Sequence, residues 1–381
     1  MKKIIIVTNQ MIRGGVETAL ISMLNAIDLT QTDVSVLLLR RGGVWEKRIP
    51  EAVHVLYVDE LCDPKNYLRE LMILGHPILA LRKAFLFYRS IKAKNYWKEN
   101  HFLAEFLPKQ QQEYDVAIAY HAPGTLPVHY VLHNITAENK ILWIHGDVEK
   151  TKCIGEEYRR LFLQFDRTVC VSKEAEQIFV KNYPEMKQKC LTVYNIVDTE
   201  YIDEVANEPI RENFSVCTVA RLEPQKGISL AIDVCEQLTK KYPDFKWCVC
   251  GGGSEENKLR KKIADKGLEN NFILLGEQDN PYKYMRASEI YVQTSIHEGY
   301  CITIAEARYL CKPIVATCAT GISEQLTNGV NGTIVDMNPR EITHAVDELL
   351  SNQALQDWYI SHLKQIDWNS DSDNMVKAIS F

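Results

Sequence analysis

The chain has 381 residues, of which 46% are hydrophobic, and a formal net charge of −6. That length suggests two ordinary domains, the apolar content excludes a disordered chain, and the charge argues against nucleic acid as a main partner. No run approaches the ~20 apolar residues of a membrane-spanning helix. The charge is uneven: residues 1–195 carry 26 Lys and Arg against 22 Asp and Glu, and the remainder 18 against 28. A mildly basic first half suits an anionic acceptor or an anionic membrane surface. Eleven cysteines are scattered with no Cys-x-x-Cys pair, so buried free thiols in a reducing cytosol fit better than a zinc site or a disulfide framework.

In chain order, the apolar run to Thr8 is too short for a secretion signal and passes into an Arg-Gly-Gly loop, so it reads as a first buried strand. Gly14-Gly15-Val-Glu17 follows, without the G-x-G-x-x-G of a dinucleotide fingerprint. Further strands are expected at 34–39, 53–57, 114–120, 140–143, 167–171 and 191–193, with helical patterns between them. His121 and His145 each follow one of these strands, His145 directly before Gly146-Asp147. Each reads either as a satisfied core histidine or as a site residue at a strand end.

Residues 64–113 break the alternation, being helical in pattern and rich in aromatics. Within them the stretch 82–98 carries Arg82, Lys83, Arg89, Lys92, Lys94 and Lys98 interleaved with Phe85, Phe87, Tyr88, Ile91, Tyr96 and Trp97. It reads as one amphipathic helix, either touching anionic lipid headgroups or solvated with its aromatics on the first domain.

The strand–helix order restarts after Asn195-Ile-Val-Asp198, with strands expected at 216–220, 246–250, 272–275, 289–293, 313–316 and 333–335. Two doubly wound parallel α/β domains are therefore expected, at 1–195 and 196–365, with a ligand bound between them at the C-terminal ends of strands. A tail, 366–381, holds Trp368, Val376, Ile379 and Phe381 and is expected to pack back on the first domain. Asp371-Ser-Asp373 lies in that polar tail rather than after a core strand and is not read as a metal site.

The chemistry concentrates in the second half. Arg221 and Lys226 flank a turn, Leu-Glu-Pro-Gln, that follows a strand. Two cations so held can straddle a diphosphate, each charge pair being worth about 4 kcal/mol at ~4 Å and an effective dielectric near 20. Glu298 and Gly299 fall in a strand-to-helix loop, where the amides of residues 299–302 open the helix and suit an anion. Glu306 falls about two turns in, near the same face. A phosphate site beside two carboxylates suits a sugar nucleotide.

These segments resemble glycosyltransferase family 4, retaining enzymes of the GT-B fold. The resemblance rests on Val219-Ala-Arg-Leu-Glu-Pro-Gln-Lys-Gly227, Cys250-Gly-Gly-Gly-Ser254, Glu298-Gly with Glu306, Lys312-Pro-Ile-Val-Ala316 and Asn328-Gly-Val-Asn-Gly332. In the first half it adds Gly14-Gly15-Val-Glu17, Trp143-Ile-His-Gly146, Val171-Ser172 and Asn195-Ile-Val-Asp198. It covers most of the chain, weakly in residues 40–140, the region that faces the acceptor in that family.

The resemblance implies two Rossmann-like domains facing a deep interdomain cleft. It implies that Arg221 and Lys226 bind the donor diphosphate. Glu298 would contact hydroxyls of the transferred sugar, helped by backbone amides of Gly299, Tyr300, Cys301 and Ile302. Glu306 would accept from the ribose hydroxyls, and Gly252 would lie near the nucleotide. Gly15 would let the first domain's backbone approach the phosphate, and His145 would sit near the anomeric side. His121, with Gly14, is a candidate for the acceptor pocket. The expected reaction is transfer from a nucleoside-diphosphate sugar, UDP-linked by family frequency, to a lipid-linked or oligosaccharide hydroxyl in bacterial capsule, exopolysaccharide or cell-wall glycan synthesis. Neither a metal nor a cofactor is expected, and the location is the cytoplasm or the inner face of the membrane. A nucleotide-sugar 2-epimerase and a non-catalytic sugar-nucleotide-binding subunit are the alternatives.

Overall fold

A computed structural model describes residues 1–368 and 370–379, with the side chains of 370–373 left out; Asp371, Asp373 and Phe381 therefore lie outside what is described. The chain divides into two compact units, one of residues 1–196 with the C-terminal segment from Ser370, the other of residues 197–369.

Unit one is built on a seven-stranded sheet. Its strands are β1 (Lys2–Thr8), β2 (Thr32–Leu38), β3 (His54–Tyr57), β4 (Glu113–Ala122), β5 (Thr136–Ile144), β6 (Arg167–Cys170) and β7 (Cys190–Thr192). They lie in the order β3-β2-β1-β4-β5-β6-β7, and every pairing is parallel. Continuous burial of Ile4 to Val7 and of Val116 to Ala119 explains why these strands read as apolar runs: a parallel sheet is covered on both faces. The helices are α1 (Gly15–Ala26), α2 (Pro64–Ile73), α3 (Pro77–Ile91), α4 (Tyr96–Phe106), α5 (Leu126–Asn134), α6 (Glu156–Phe162) and α7 (Lys173–Asn182). The C-terminal helix, Ser370–Ile379, belongs to this unit. Its last turn is tied there by Lys2 Nζ donating to the Ile379 carbonyl at 3.3 Å and by Arg167 donating to the Ala378 carbonyl at 2.6 Å.

The stretch 82–98 is two helices rather than one. α3 ends at Ile91, and Asn95 caps α4 by accepting from the Lys98 amide at 2.9 Å. An Asn cap satisfies an orphan amide at the start of a new helix. Nor are all six cations on the surface, since Lys83 turns inward to donate to the Glu105 and Leu107 carbonyls at 2.8 and 3.0 Å. Burial then pulls its pKa down to about 8.

Unit two carries the strands β8 (Val216–Val219), β9 (Trp247–Cys250), β10 (Phe272–Gly276), β11 (Ile290–Gln293), β12 (Ile314–Thr317) and β13 (Thr333–Val335). Their order is β10-β9-β8-β11-β12-β13, again all parallel. The helices are α8 (Thr199–Val205), α9 (Ile228–Thr239), α10 (Glu256–Asp265), α11 (Tyr282–Ala287), α12 (Ile302–Tyr309), α13 (Pro339–Ser351) and α14 (Gln353–Leu363). β8 and β11 are neighbours although their paired residues Val216 and Ile290 are 74 apart in the chain, so the winding reverses between them. Loops that leave such neighbouring strands diverge and open a crevice at their C-terminal ends. Arg221 to Lys226 follows β8, and Ser295 to Cys301 follows β11. The eleven cysteines are free thiols, with Cys217, Cys248 and Cys250 buried on adjoining strands.

Candidate active site

The loops after β8 and β11 meet through backbone before they meet through charge. Pro224–Lys226 forms a single 3-10 turn, and Gly227 then takes φ +65° to start α9. A Cβ at Gly227 would lie 2.0 Å from the Thr294 carbonyl oxygen, so only glycine admits this approach. The Ile296 amide donates to the Gln225 carbonyl at 2.8 Å, and the Thr294 hydroxyl donates to the Lys226 carbonyl at 3.0 Å.

On that frame the Lys226 ammonium grips both oxygens of Glu298, at 2.7 and 2.8 Å, with the two side chains only 16% and 9% exposed. Ser295 donates its hydroxyl to the same carboxylate at 2.6 Å. Behind it runs a buried relay: Gln293 donates its amide to the Ser295 hydroxyl at 2.7 Å, and Tyr291 donates to the Gln293 carbonyl oxygen at 2.7 Å. Tyr291, Gln293 and Ser295 alternate along β11 and its exit, so period two puts them on one side. Sequence reasoning missed this relay; its signal is polar residues at alternate positions ending a buried strand.

Cys301 adopts φ +67°, unusual for a residue with a side chain, and forms the N-cap of α12. Gln325 holds this bend by donating to the Tyr300 and Cys301 carbonyls. The side chains of Tyr300, Cys301 and Ile302 are buried, so what this turn offers a ligand is main chain. Burial pushes the Cys301 thiol up to about 12, which leaves it protonated and inert as a nucleophile. α12 begins at Ile302, so Glu306 sits only about one turn into the helix, not two. It is almost fully buried, and Tyr282 donates to it at 2.9 Å. Tyr282, on α11, is a partner that no motif in the sequence marked.

Arg221 is exposed at the end of β8. The turn containing Gly252 lies against it: the Leu222 amide donates to the Gly252 carbonyl at 2.8 Å, and a Cβ on Gly251 would meet the Ala220 carbonyl oxygen at 1.9 Å. Glu223 clamps the same turn through the Ser254 amide and hydroxyl at 3.1 and 2.8 Å.

In unit one the candidates gather at the ends of β1, β4 and β5. Gly15 opens α1, and Gly14 is its N-cap. A Cβ on Gly14 would lie 2.4 Å from a Glu17 carboxylate oxygen, so the buried Glu17 is folded back over the glycine. The His145 amide donates to the Ala122 carbonyl at 3.2 Å, and its ring packs edge-on to Tyr120 at 4.5 Å. Nε2 of His145 is shielded and without a hydrogen-bond partner. Burial, and then the neighbouring His121, push its pKa down to about 3. His145 is therefore a neutral imidazole at physiological pH.

The sign of this shift sets a stability profile. The folded pKa lies below the ordinary 6.5, so as the pH falls the unfolded chain takes up its proton first. The contribution is complete above pH 6.5 and is lost between 6.5 and about 3. Thermal melts of wild type are expected to fall from pH 7 to pH 5, with His145 contributing at most ~1.4 kcal/mol per pH unit. His145→Asn should show a shallower slope.

Comparison with known proteins finds similarity to glycosyltransferases. Residues 201–365 match the family described as glycosyl transferases group 1. An uncharacterized glycosyltransferase of Methanocaldococcus jannaschii is 30% identical over 207 residues, 50% of this chain and 51% of that protein. A poly(ribitol-phosphate) alpha-N-acetylglucosaminyltransferase of Staphylococcus aureus is 29% identical over 49% of this chain and 37% of its own length. The chain thus spans about half or less of these relatives. Over the full length of both chains, the structure resembles Anabaena HepE in complex with UDP and glucose, with a TM-score of 0.72 at 19% identity. It equally resembles a TarM variant of S. aureus in complex with fondaparinux, alpha-GlcNAc-glycerol and UDP, with a TM-score of 0.73 at 15% identity. Residues 201–365 are therefore similar to the group 1 glycosyltransferases, and the chain has the two-domain GT-B fold of its structural neighbours.

Proposed function

We propose that this protein is a retaining glycosyltransferase of family 4 that moves a sugar from a nucleoside-diphosphate donor to a hydroxyl acceptor. The observation that carries the reading is the Lys226–Glu298 pair, clamped by backbone at the switch point of the second sheet, inside the segment that matches the glycosyltransferase family. Lys226 and Arg221 hold the diphosphate and stabilise the charge that grows on it as the glycosidic bond breaks. Glu298 receives hydroxyls of the sugar, and Glu306, oriented by Tyr282, receives the ribose. Gly14, Gly15, His121 and His145 take acceptor-side and reaction roles in unit one. No metal is assigned to the reaction.

The bond from the anomeric carbon to the phosphate oxygen breaks, the bond to the acceptor oxygen forms on the same face, and the leaving phosphate takes the acceptor proton. This route is preferred over double displacement because Ser295, backed by Gln293, keeps a hydrogen bond on the Glu298 carboxylate when Lys226 turns to the diphosphate. Lone pairs held in charge-assisted bonds attack poorly. UDP is the preferred nucleotide, since the two structural neighbours above were solved with it. The preferred acceptor is lipid-linked or a polyol-phosphate glycan in bacterial surface-polymer synthesis. The test is a screen of nucleotide sugars, with and without polyprenyl-linked and oligosaccharide acceptors, read by mass spectrometry. Sugar transfer only with acceptor is expected. Epimerised donor without acceptor identifies an isomerase, and binding without turnover identifies a non-catalytic subunit.

We further propose that α3 rests on an anionic membrane face. It buries Ala80, Leu86 and Ser90 and turns Ile78, Leu81, Phe85 and Tyr88 outward, with Ile78 83% and Leu81 71% exposed. Those four recur at helical spacing on one side, and Arg82, Arg89, Lys92 and Lys94 are exposed beside them. Among the described residues no helix is long and apolar enough to cross a membrane. Each basic residue near such a surface is worth about 1 kcal/mol. Replacing the four cations with Gln is expected to abolish sedimentation with phosphatidylserine liposomes; unchanged sedimentation overturns the surface assignment.

A further inference from the structure

Outside the candidate active site, α4 and α5 bring three histidines together within unit one. His129 and His133 are four residues apart on α5, hence on one side of it. His101 comes from α4. A ring nitrogen from each lies within 4.8 Å of the other two. His129 is fully buried, and both its nitrogens lack a hydrogen-bond partner. Rings of Trp97 and His101 stack at 5.0 Å, Trp97 meets His129 edge-on at 5.5 Å, and His101 meets His133 edge-on at 5.2 Å.

Aromatic packing alone accounts for the ring contacts. It does not account for three imidazole nitrogens converging, or for a fully buried imidazole left unsatisfied, which a folded protein rarely tolerates. We propose that His101, His129 and His133 bind a divalent transition-metal ion of the zinc class. Imidazole nitrogen suits zinc, copper and nickel, whereas calcium and magnesium want oxygen. Two ligands of a tetrahedral zinc stand about 3.3 Å apart, from bonds of ~2.05 Å. His101 and His133 are only half-buried and need modest side-chain rotation to close from the present spacing. The fourth position is left to water or to Glu105, the carboxylate whose charge acts on His133.

The site shares no residue with the Lys226–Glu298 centre, and its role is mechanical. α3 is already fastened to the end of α4 through Lys83. A metal across α4 and α5 fastens that pair in turn to the helix that follows β4. It would thus anchor the segment that carries the outward apolar stripe of α3. The three histidines escape motif reading because their spacing is split: the His-x₃-His half is visible at 129–133, while His101 lies 28 residues earlier.

The experiment uses the full chain stripped with chelator and titrated with Zn²⁺ alone. Expected are one equivalent retained per chain by elemental analysis and a melting temperature raised by about 5 °C or more. Cobalt substitution is expected to give the visible bands of a four-coordinate nitrogen and oxygen site without a thiolate charge-transfer band, which separates the histidines from the eleven cysteines. His101→Gln and His133→Gln, chosen because neither position is fully buried, should each lose the retained equivalent and the thermal shift while keeping the wild-type circular dichroism. Absence of stoichiometric zinc in wild type, or retention of it in both variants, or a thiolate band with cobalt, overturns the proposal.

Discussion

Lys226→Ala is expected to lower turnover by about 10²- to 10³-fold, the usual cost of losing one preorganised group that stabilises developing negative charge. It should also weaken UDP roughly 10- to 100-fold, since a hydrogen bond to a charged group is worth about 1.5–3 kcal/mol. The fold should persist: Gly227 and Thr294 stay in backbone contact, and Ser295 still donates to Glu298. Circular dichroism, UDP titration and product formation together check this. Wild-type turnover in the variant sinks the diphosphate role.

Glu298→Gln should act in the opposite sense on nucleotide binding. The two groups are already paired at 2.7 Å, so a diphosphate arriving at Lys226 competes with the carboxylate for the ammonium. Removing the carboxylate charge leaves the cation more available, and UDP should bind as tightly as in wild type or more tightly. Turnover should still fall by about 10²- to 10³-fold, because the sugar loses its charged acceptor. Calorimetry with UDP and a product assay read the two effects separately. A variant that loses UDP affinity and turnover in parallel would show that Glu298 acts only by holding Lys226 in place.

Much of this centre could be read from residue order, because parallel strands buried on both faces announce themselves. Val216–Val219 and Ile290–Gln293 are short apolar runs, and each is followed by the charges and glycine that a strand-end loop needs. What could not be read was tertiary. Nothing local says that Lys226 spends its charge on Glu298, or that Tyr282 reaches Glu306 from another helix. Nor does anything local say that Glu17 folds back over Gly14. The stretch 82–98 misled for a different reason: its amphipathic pattern runs on across Lys92–Lys94, and only the Asn95 cap divides it. Lys83 looked like surface charge because a long side chain can turn inward to carbonyls.

The contact at Gly227 constrains how the ligand preference of this site could be changed. With the neighbouring carbonyl seated where any side chain would begin, the backbones that carry the cation and the acid are locked together, and swapping side chains leaves that spacing unchanged. Their separation belongs to the main chain. A changed ligand preference would have to be engineered in the side chains around that fixed gauge, and a graft of the loop after β8 should succeed only when the loop after β11 travels with it.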